Sequence, residues 1–247
     1  MDRIIYTSMT GASATMQRQA VLANNLANVS TNGFRAEMFN FRAVPVQGDG
    51  SSTRVYALET TTGQSQTPGP VQRTGRNLDA MAVGNAWFAV QGADGSEAYT
   101  RNGAFTVNSE GQLVTQNGLT VLSDGGSPID APQGADLTLG SDGTVTALVP
   151  GQQQPQTIAR LKLVTPDADD PIKRGDDGLF HTASGDPLPS DPNAQLLAGA
   201  LEGSNVNAVE CMVGMIAAAR QFEQQMQLLQ TARDDDKSAG QLLSVSA

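Results

Sequence analysis

Apolar residues recur at helical spacing at both ends of this 247-residue chain, whereas the stretch between them reads as short strands and turns. Near the start, Met9, Met16 and Ala23 are seven residues apart. Ile5, Ala12, Gln19 and Leu26 form a second series four residues ahead of them, and only Gln19 in the pair of series is polar. That offset is the one found in a coiled-coil seam. Near the end, Met212, Ala219 and Met226 form one row and Met215, Phe222 and Leu229 another, with Val209 and Ile216 widening the stripe. The spacing predicts helices over 4–28 and 207–234. Asn207, three residues before Glu210, has the spacing of a capping box.

Such stripes fit two arrangements, the core face of an ordinary helix or a seam between helices. Met and Ala dominate over Leu and Ile, which makes a thin and adaptable contact. At about 1.5 Å per residue each helix reaches on the order of 40 Å, so the two can lie side by side as an antiparallel rod. A lone amphipathic helix in water gains little without packing of its apolar face.

The middle of the chain predicts β-structure. Strand-like runs at 86–91, 97–101, 104–108, 112–116, 119–122, 136–139, 144–149 and 158–164 alternate with Asp94-Gly95, Asn102-Gly103, Asn117-Gly118, Asp124-Gly125 and Asp142-Gly143. These pairs are turn formers. Their spacing points to an antiparallel sheet folded as a small sandwich or open barrel. Asn32-Gly33 is suited to closing the first helix. Residues 47–70, rich in Gly, Ser, Thr, Gln and Pro, predict a linker or extended arm. The expected class is α+β, with terminal helices paired as a coiled coil. The expected division is 1–33 with 204–247 as the helical part, 34–75 as an extended arm and 76–203 as a β-rich outer domain.

Charge and motif content narrow the function. A net charge of -10 with scattered basic residues opposes nucleic-acid binding. No apolar run approaches the roughly 20 residues of a membrane span, and the first residues lack the pattern of a cleaved signal peptide. Cys211 is the single cysteine and predicts a buried thiol on the apolar side of its helix. His181 is the single histidine, which rules out a site built on several imidazoles. Ser184 and Asp186 lie near it, but residues so close in sequence seldom form a catalytic triad. Asp167, Asp169 and Asp170 lack the Gly and Glu of a calcium loop and read as solvated charge. Asp234, Asp235 and Asp236 fall where a helix end disfavours negative charge, implying fraying or a basic partner. No catalytic, cofactor or metal site is expected. The remaining functional classes are a structural subunit, a soluble enzyme or carbohydrate-binding β-module with a helical hairpin, and a secreted adhesin-like oligomer.

The run Ala23-Asn24-Asn25-Leu26-Ala27-Asn28-Val29-Ser30-Thr31-Asn32-Gly33-Phe34-Arg35 resembles the signature of the rod and hook proteins of the bacterial flagellum. Three further runs resemble the same family: Gly84 to Val90, Tyr99 to Phe105 and Gly111 to Thr115. Leu201-Glu202-Gly203-Ser204-Asn205-Val206 and the helix after it resemble the family's C-terminal region. The opening Met1-Asp2-Arg3-Ile4-Ile5-Tyr6-Thr7 is similar to proximal-rod members. Distal-rod members share length and motif, and hook members carry additional β-domains.

The resemblance implies a non-catalytic subunit of the basal-body rod that passes torque toward the hook. It implies terminal helices as an inner coiled-coil layer around the rod axis, β-structure outside, and partners that are copies of the chain and other rod proteins, including distal-rod subunits. It implies export without a cleaved signal and residence in the rod across the periplasm. On this reading Ile5, Met9, Met16, Ala23, Leu26, Met212, Met215, Ala219, Phe222, Met226 and Leu229 form the assembly interface. Asn24, Asn25, Asn28, Gly33 and Phe34 belong to the motif. Asn24 and Asn28, one turn apart, either fix register between subunits or merely weaken the helix end before Asn32-Gly33.

Overall fold

The computed structural model describes residues 2–45, 55–167 and 170–245. Part of the 47–70 arm and Asp169 therefore lie outside the described residues. Helix α1 spans Asp2–Ala27 and helix α2 spans Ala208–Val245. The chain divides into two compact units, one made of 1–29, 36–65 and 206–247, the other of 30–35 and 66–205.

The first unit holds both helices and a hairpin of β1 (Glu37–Pro45) and β2 (Val55–Gln64). The stretch expected as an arm is thus largely paired strand. Thr and Val supply the β-branched residues that a pleated ladder favours, and the partners run from Glu37 opposite Gln64 to Pro45 opposite Val55. Its sequence is poor in core residues because the hairpin is two strands lying along α1, with no sheet of its own behind it.

The helices run antiparallel, since Gly11 faces Gln225 while Gly214 faces Leu22. Asn207 caps α2, its Oδ1 accepting from the N–H groups of Val209 and Glu210 at 3.1 and 3.3 Å. Two expected boundaries change. Helix α1 stops at Ala27, ahead of Asn32-Gly33, because the last i−4 bond is the one from the Asn28 N–H to the Asn24 carbonyl and the Val29 N–H turns instead to the Leu26 carbonyl three residues back. Helix α2 continues past the Asp234 to Asp236 triplet to Val245, so those residues are helix interior and not a helix end.

The second unit is built from short strands: β3 (Val71–Arg73), β4 (Ala80–Ala82), β5 (Trp87–Gln91), β6 (Glu97–Thr100), β7 (Phe105–Val107), β8 (Leu113–Thr115), β9 (Asp136–Leu139), β10 (Thr144–Leu148), β11 (Gln156–Arg160), β12 (Leu163–Val164), β13 (Ile172–Arg174), β14 (Phe180–Thr182), β15 (Leu196–Ala198) and β16 (Ala200–Glu202). All pairings between them are antiparallel. They form a five-stranded sheet ordered β12-β5-β6-β14-β13, a three-stranded sheet ordered β11-β10-β9, and three strand pairs. The run expected as one strand over 158–164 divides between β11 and β12. At the break Leu161 donates to Gly143 and Lys162 donates to Leu122, so the chain leaves one sheet to join the other.

Strand β5 is buried on both faces, and its alternation fills two cores. Phe88 and Val90 join Phe105, Leu113, Val121 and Val145 on one side. Trp87 and Ala89 join Tyr99, Val164 and Phe180 on the other. Phe88 and Phe105 meet edge to face at 5.2 Å, and the Trp87 and Phe180 ring centroids lie 4.5 Å apart. Such aromatic contacts add to the burial itself. Five of the chain's eleven aromatic residues, Trp87, Phe88, Tyr99, Phe105 and Phe180, stand in these two clusters.

Candidate assembly interface

In the helical unit the inward faces are thin and partly polar. On α1, Ser8, Ala12 and Thr15 are buried and Ile5, Gln19, Leu22 and Leu26 half-buried. The facing rows of α2 are Cys211 and Ala218, buried, with Met215, Phe222, Gln225 and Leu229 half-buried. Thr15 is satisfied within its own helix, its hydroxyl donating to the Gly11 carbonyl at 2.8 Å. Burial raises the Cys211 thiol pKa, and the neighbouring Glu210 charge adds to the rise. A protonated, enclosed thiol is inert.

The other predicted rows face out. Met9 and Met16 are 54% and 58% exposed, Met212 and Met226 47% and 46%, and Ala23 is exposed; Ala219 is half-buried. Val209, Val213 and Ile216 are more exposed than Met212. The seven-residue rows visible in the sequence therefore split. Ile5, Leu26, Met215, Phe222 and Leu229 turn toward the partner helix, while Met9, Met16, Ala23, Met212 and Met226 turn from it. On α1 the inward positions beside the Met row are Ser8 and Thr15, which a search for apolar residues passes over.

Three Asn residues close α1. Asn25 is buried, and its side chain bridges to the first residue of β1: its Nδ2 donates to the Glu37 carbonyl at 2.9 Å and its Oδ1 accepts from the Glu37 N–H at 2.8 Å. Asn28 donates through Nδ2 to the Asn24 carbonyl at 2.9 Å, one turn back. Asn24 is exposed. Nearby, the Arg18 guanidinium lies 5.3 Å from the Phe39 ring centre.

The motif residues after the helix belong to the β unit, where separate motifs converge on one buried carboxylate. Glu202 accepts from Arg35 Nη2 at 2.8 Å, from Arg101 Nε at 2.8 Å and from the Gly69 N–H at 3.0 Å. Arg101 also donates to the carbonyls of Gly84 and Ala86 and stands 5.5 Å from the Trp87 ring. Arg35 donates to the carbonyls of Gln66 and Thr67. Gly33 has φ of 71°, and a Cβ there would come within 2.4 Å of the Arg101 carbonyl carbon. Its N–H donates to the Glu202 carbonyl at 2.7 Å. Gly69 is equally confined, since a Cβ on it would overlap the Gly203 carbonyl oxygen at 1.8 Å. Phe34 is buried under the Arg174 guanidinium, 4.4 Å from its ring centre.

Two guanidiniums thus share one carboxylate in a site closed to water. Burial lowers the Arg35 pKa, Glu202 pulls it back up, and Arg101 lowers it further. Backbone carbonyls around both arginines spread the excess positive charge. Arg35, Arg101 and Glu202 were not singled out in the sequence. The available signal was one charged residue inside each of three otherwise small or apolar motifs.

The His181 and Ser184 side chains, which could suggest catalysis, have different carboxylate partners. His181 sits in β14 opposite Lys173 with Nε2 3.0 Å from Asp177 Oδ2, while the Ser184 hydroxyl donates to Asp170 at 2.6 Å. Among the described residues no helix is long and apolar enough to cross a membrane.

Three family descriptions match: "Flagella basal body rod protein" over 5–35, "Flagellar hook protein FlgE/F/G D1 domain" over 81–147, and "Flagellar basal body rod FlgEFG protein C-terminal" over 197–242. The chain is 47% identical to the flagellar basal-body rod protein FlgF of Escherichia coli (strain K12) over the full length of both chains. It is 46% identical to FlgF of Salmonella typhimurium, again over the full length of both. FlgG of Buchnera aphidicola subsp. Baizongia pistaciae is 33% identical, over 92% of this chain and 95% of its own.

Proposed function

Because this chain belongs to the FlgF-like flagellar basal-body rod family, as a structural subunit and not an enzyme, we propose that it polymerises through its terminal helices in the proximal rod. The observation carrying this is the distribution of apolar surface on the helix pair. Met9, Met16, Met212 and Met226 expose about half their area while the partner-facing positions include Ser8, Thr15, Gln19 and Gln225. An apolar outer face on a thinly packed pair is the pattern of a structure completed by neighbours. The paired helices act as an antiparallel coiled coil, and the contacts between subunits are heterologous, since non-closing contacts build a rod.

Torque passes through this helical layer toward the hook. The neighbours are copies of the chain and other rod proteins, distal-rod subunits among them, in a rod crossing the periplasm. Export proceeds with the chain unfolded and unprocessed. The marginal seam supports this last step, since a helix pair with so little inward burial opens at low cost. Deleting residues 2–29 tests the reading: the β unit keeps its circular-dichroism signal, while the chain disappears from purified basal bodies. Incorporation of the shortened chain at the normal level overturns it.

A further inference from the structure

The inward rows fix where the outward rows lie. On α1 the inward spacing is Ile5, Ser8, Ala12, Thr15, Gln19, Leu22 and Leu26; on α2 it is Cys211, Met215, Ala218, Phe222, Gln225 and Leu229. Met9, Met16 and Ala23 each follow an inward residue by one step, as do Met212, Ala219 and Met226. In an antiparallel pair these following positions flank the seam on the same side. The register set by Gly11 on Gln225 and Leu22 on Gly214 brings Met9 level with Met226, Met16 with Ala219 and Ala23 with Met212. The six residues form one uncharged groove. The opposite flank of α1 is occupied, because Arg18 and Asn25 there meet Phe39 and Glu37 of the hairpin.

A second unpartnered feature lies on the outer face of α2. Val209, Val213 and Ile216 are 65%, 61% and 56% exposed and follow the spacing of a helix ridge, which Arg220 continues. We propose that this ridge of one copy seats in the Met and Ala groove of a second copy. The proposal rests on the rod reading and assigns its contact.

Position, shape and charge select a second copy as the occupant. The groove adjoins the α1 and α2 seam, so a third helix laid there extends an existing packed interface. β-Branched side chains on the ridge meet adaptable methionines with alanines between them. Charge is also complementary: Arg220 ends the ridge, Glu223 borders the groove, both are exposed, and neither has an ion pair among the described residues. Groove and ridge are different surfaces of one molecule, so each copy keeps one of each free for the next.

Full-length chain carrying Met16→Cys and Val213→Cys tests the contact in assembled basal bodies. These positions lie on different faces within one chain and are offset by several residues along the pair, too far for an internal disulfide. Oxidation should give dimers and a ladder of this chain, absent from either single variant. In parallel, Arg220→Glu and Glu223→Arg should each lower incorporation about fivefold, and their combination should restore it. Normal incorporation without the ladder, a cross-link to a different rod protein, or no rescue by the double swap overturns the groove contact and leaves the rod reading standing. Absence of the unmodified chain from purified rods overturns the rod reading itself.

Discussion

The two units solve opposite problems with similar residues. The β unit buries Trp87, Phe88, Tyr99 and Phe105 and encloses an arginine, a carboxylate and a second arginine at the cost of desolvation. The helical unit leaves Met9, Met16, Met212 and Met226 in water and lines much of its inner contact with Ser, Thr, Gln and Ala. One unit is finished within the chain. The other presents the apolar surface that neighbours can cover. The same side-chain type is core or interface according to whether its own chain covers it.

The largest effect that separates the units should come from Glu202. Glu202→Ala leaves Arg35 and Arg101 buried without a counter-charge and should destabilise the β unit by about 3–5 kcal/mol. Urea unfolding followed through Trp87, the single tryptophan, measures this in the β unit alone. A shift under about 1 kcal/mol would mean the node is solvated, in the range of surface pairs. Next comes Gly33→Ala, which combines a left-handed φ with the approach to Arg101 and should cost about 1–3 kcal/mol in the same measurement.

Asn25→Ala should cost about 1–2 kcal/mol by leaving the Glu37 N–H without its acceptor. Its signature is regional: hydrogen exchange should quicken along α1 and β1 while the β unit keeps its protection. Equal loosening in both units would show that the two are not the separate bodies described.

The smallest effect is with pH. Side-chain hydrogen bonds from Thr144 and Ser184 hold the Asp142 and Asp170 carboxyls below the ordinary carboxylate pKa. Folded values below the unfolded ones mean this stabilisation is present above about pH 4 and is lost as pH falls through the folded values. Asp142 is exposed and Asp170 only half-buried, so melting of the β unit should decline gently in acid. Melting that rises there contradicts the assignment.

Particular residues explain what the sequence disclosed. The helices were legible because their apolar rows repeat, and most strands because turn pairs such as Asp94-Gly95 and Asp142-Gly143 bracket them. Which row faces inward was not legible. Ser8 and Thr15 are small enough to sit in a close helix contact, and their hydroxyls need no distant partner when a backbone carbonyl lies one turn back, as the Thr15 bond shows. A search for apolar repeats therefore selects the methionines beside them. The charge node escaped for another reason: Arg35, Arg101 and Glu202 come together only when the strands from distant parts of the chain have paired. The hairpin at 37–64 resembled a linker because its strands lean on α1 in place of a core.

The contrast between covered and uncovered helix faces can be measured in one pair of variants. Met16→Glu places a charge on the outward row, and Ala12→Glu places the same charge on the inward row. The account predicts that Met16→Glu leaves the thermal unfolding of the purified chain unchanged and eliminates it from basal bodies, whereas Ala12→Glu melts the helix pair in the isolated chain. Normal incorporation of a correctly folded Met16→Glu chain, or a helix pair destabilised as much by Met16→Glu as by Ala12→Glu, would contradict it.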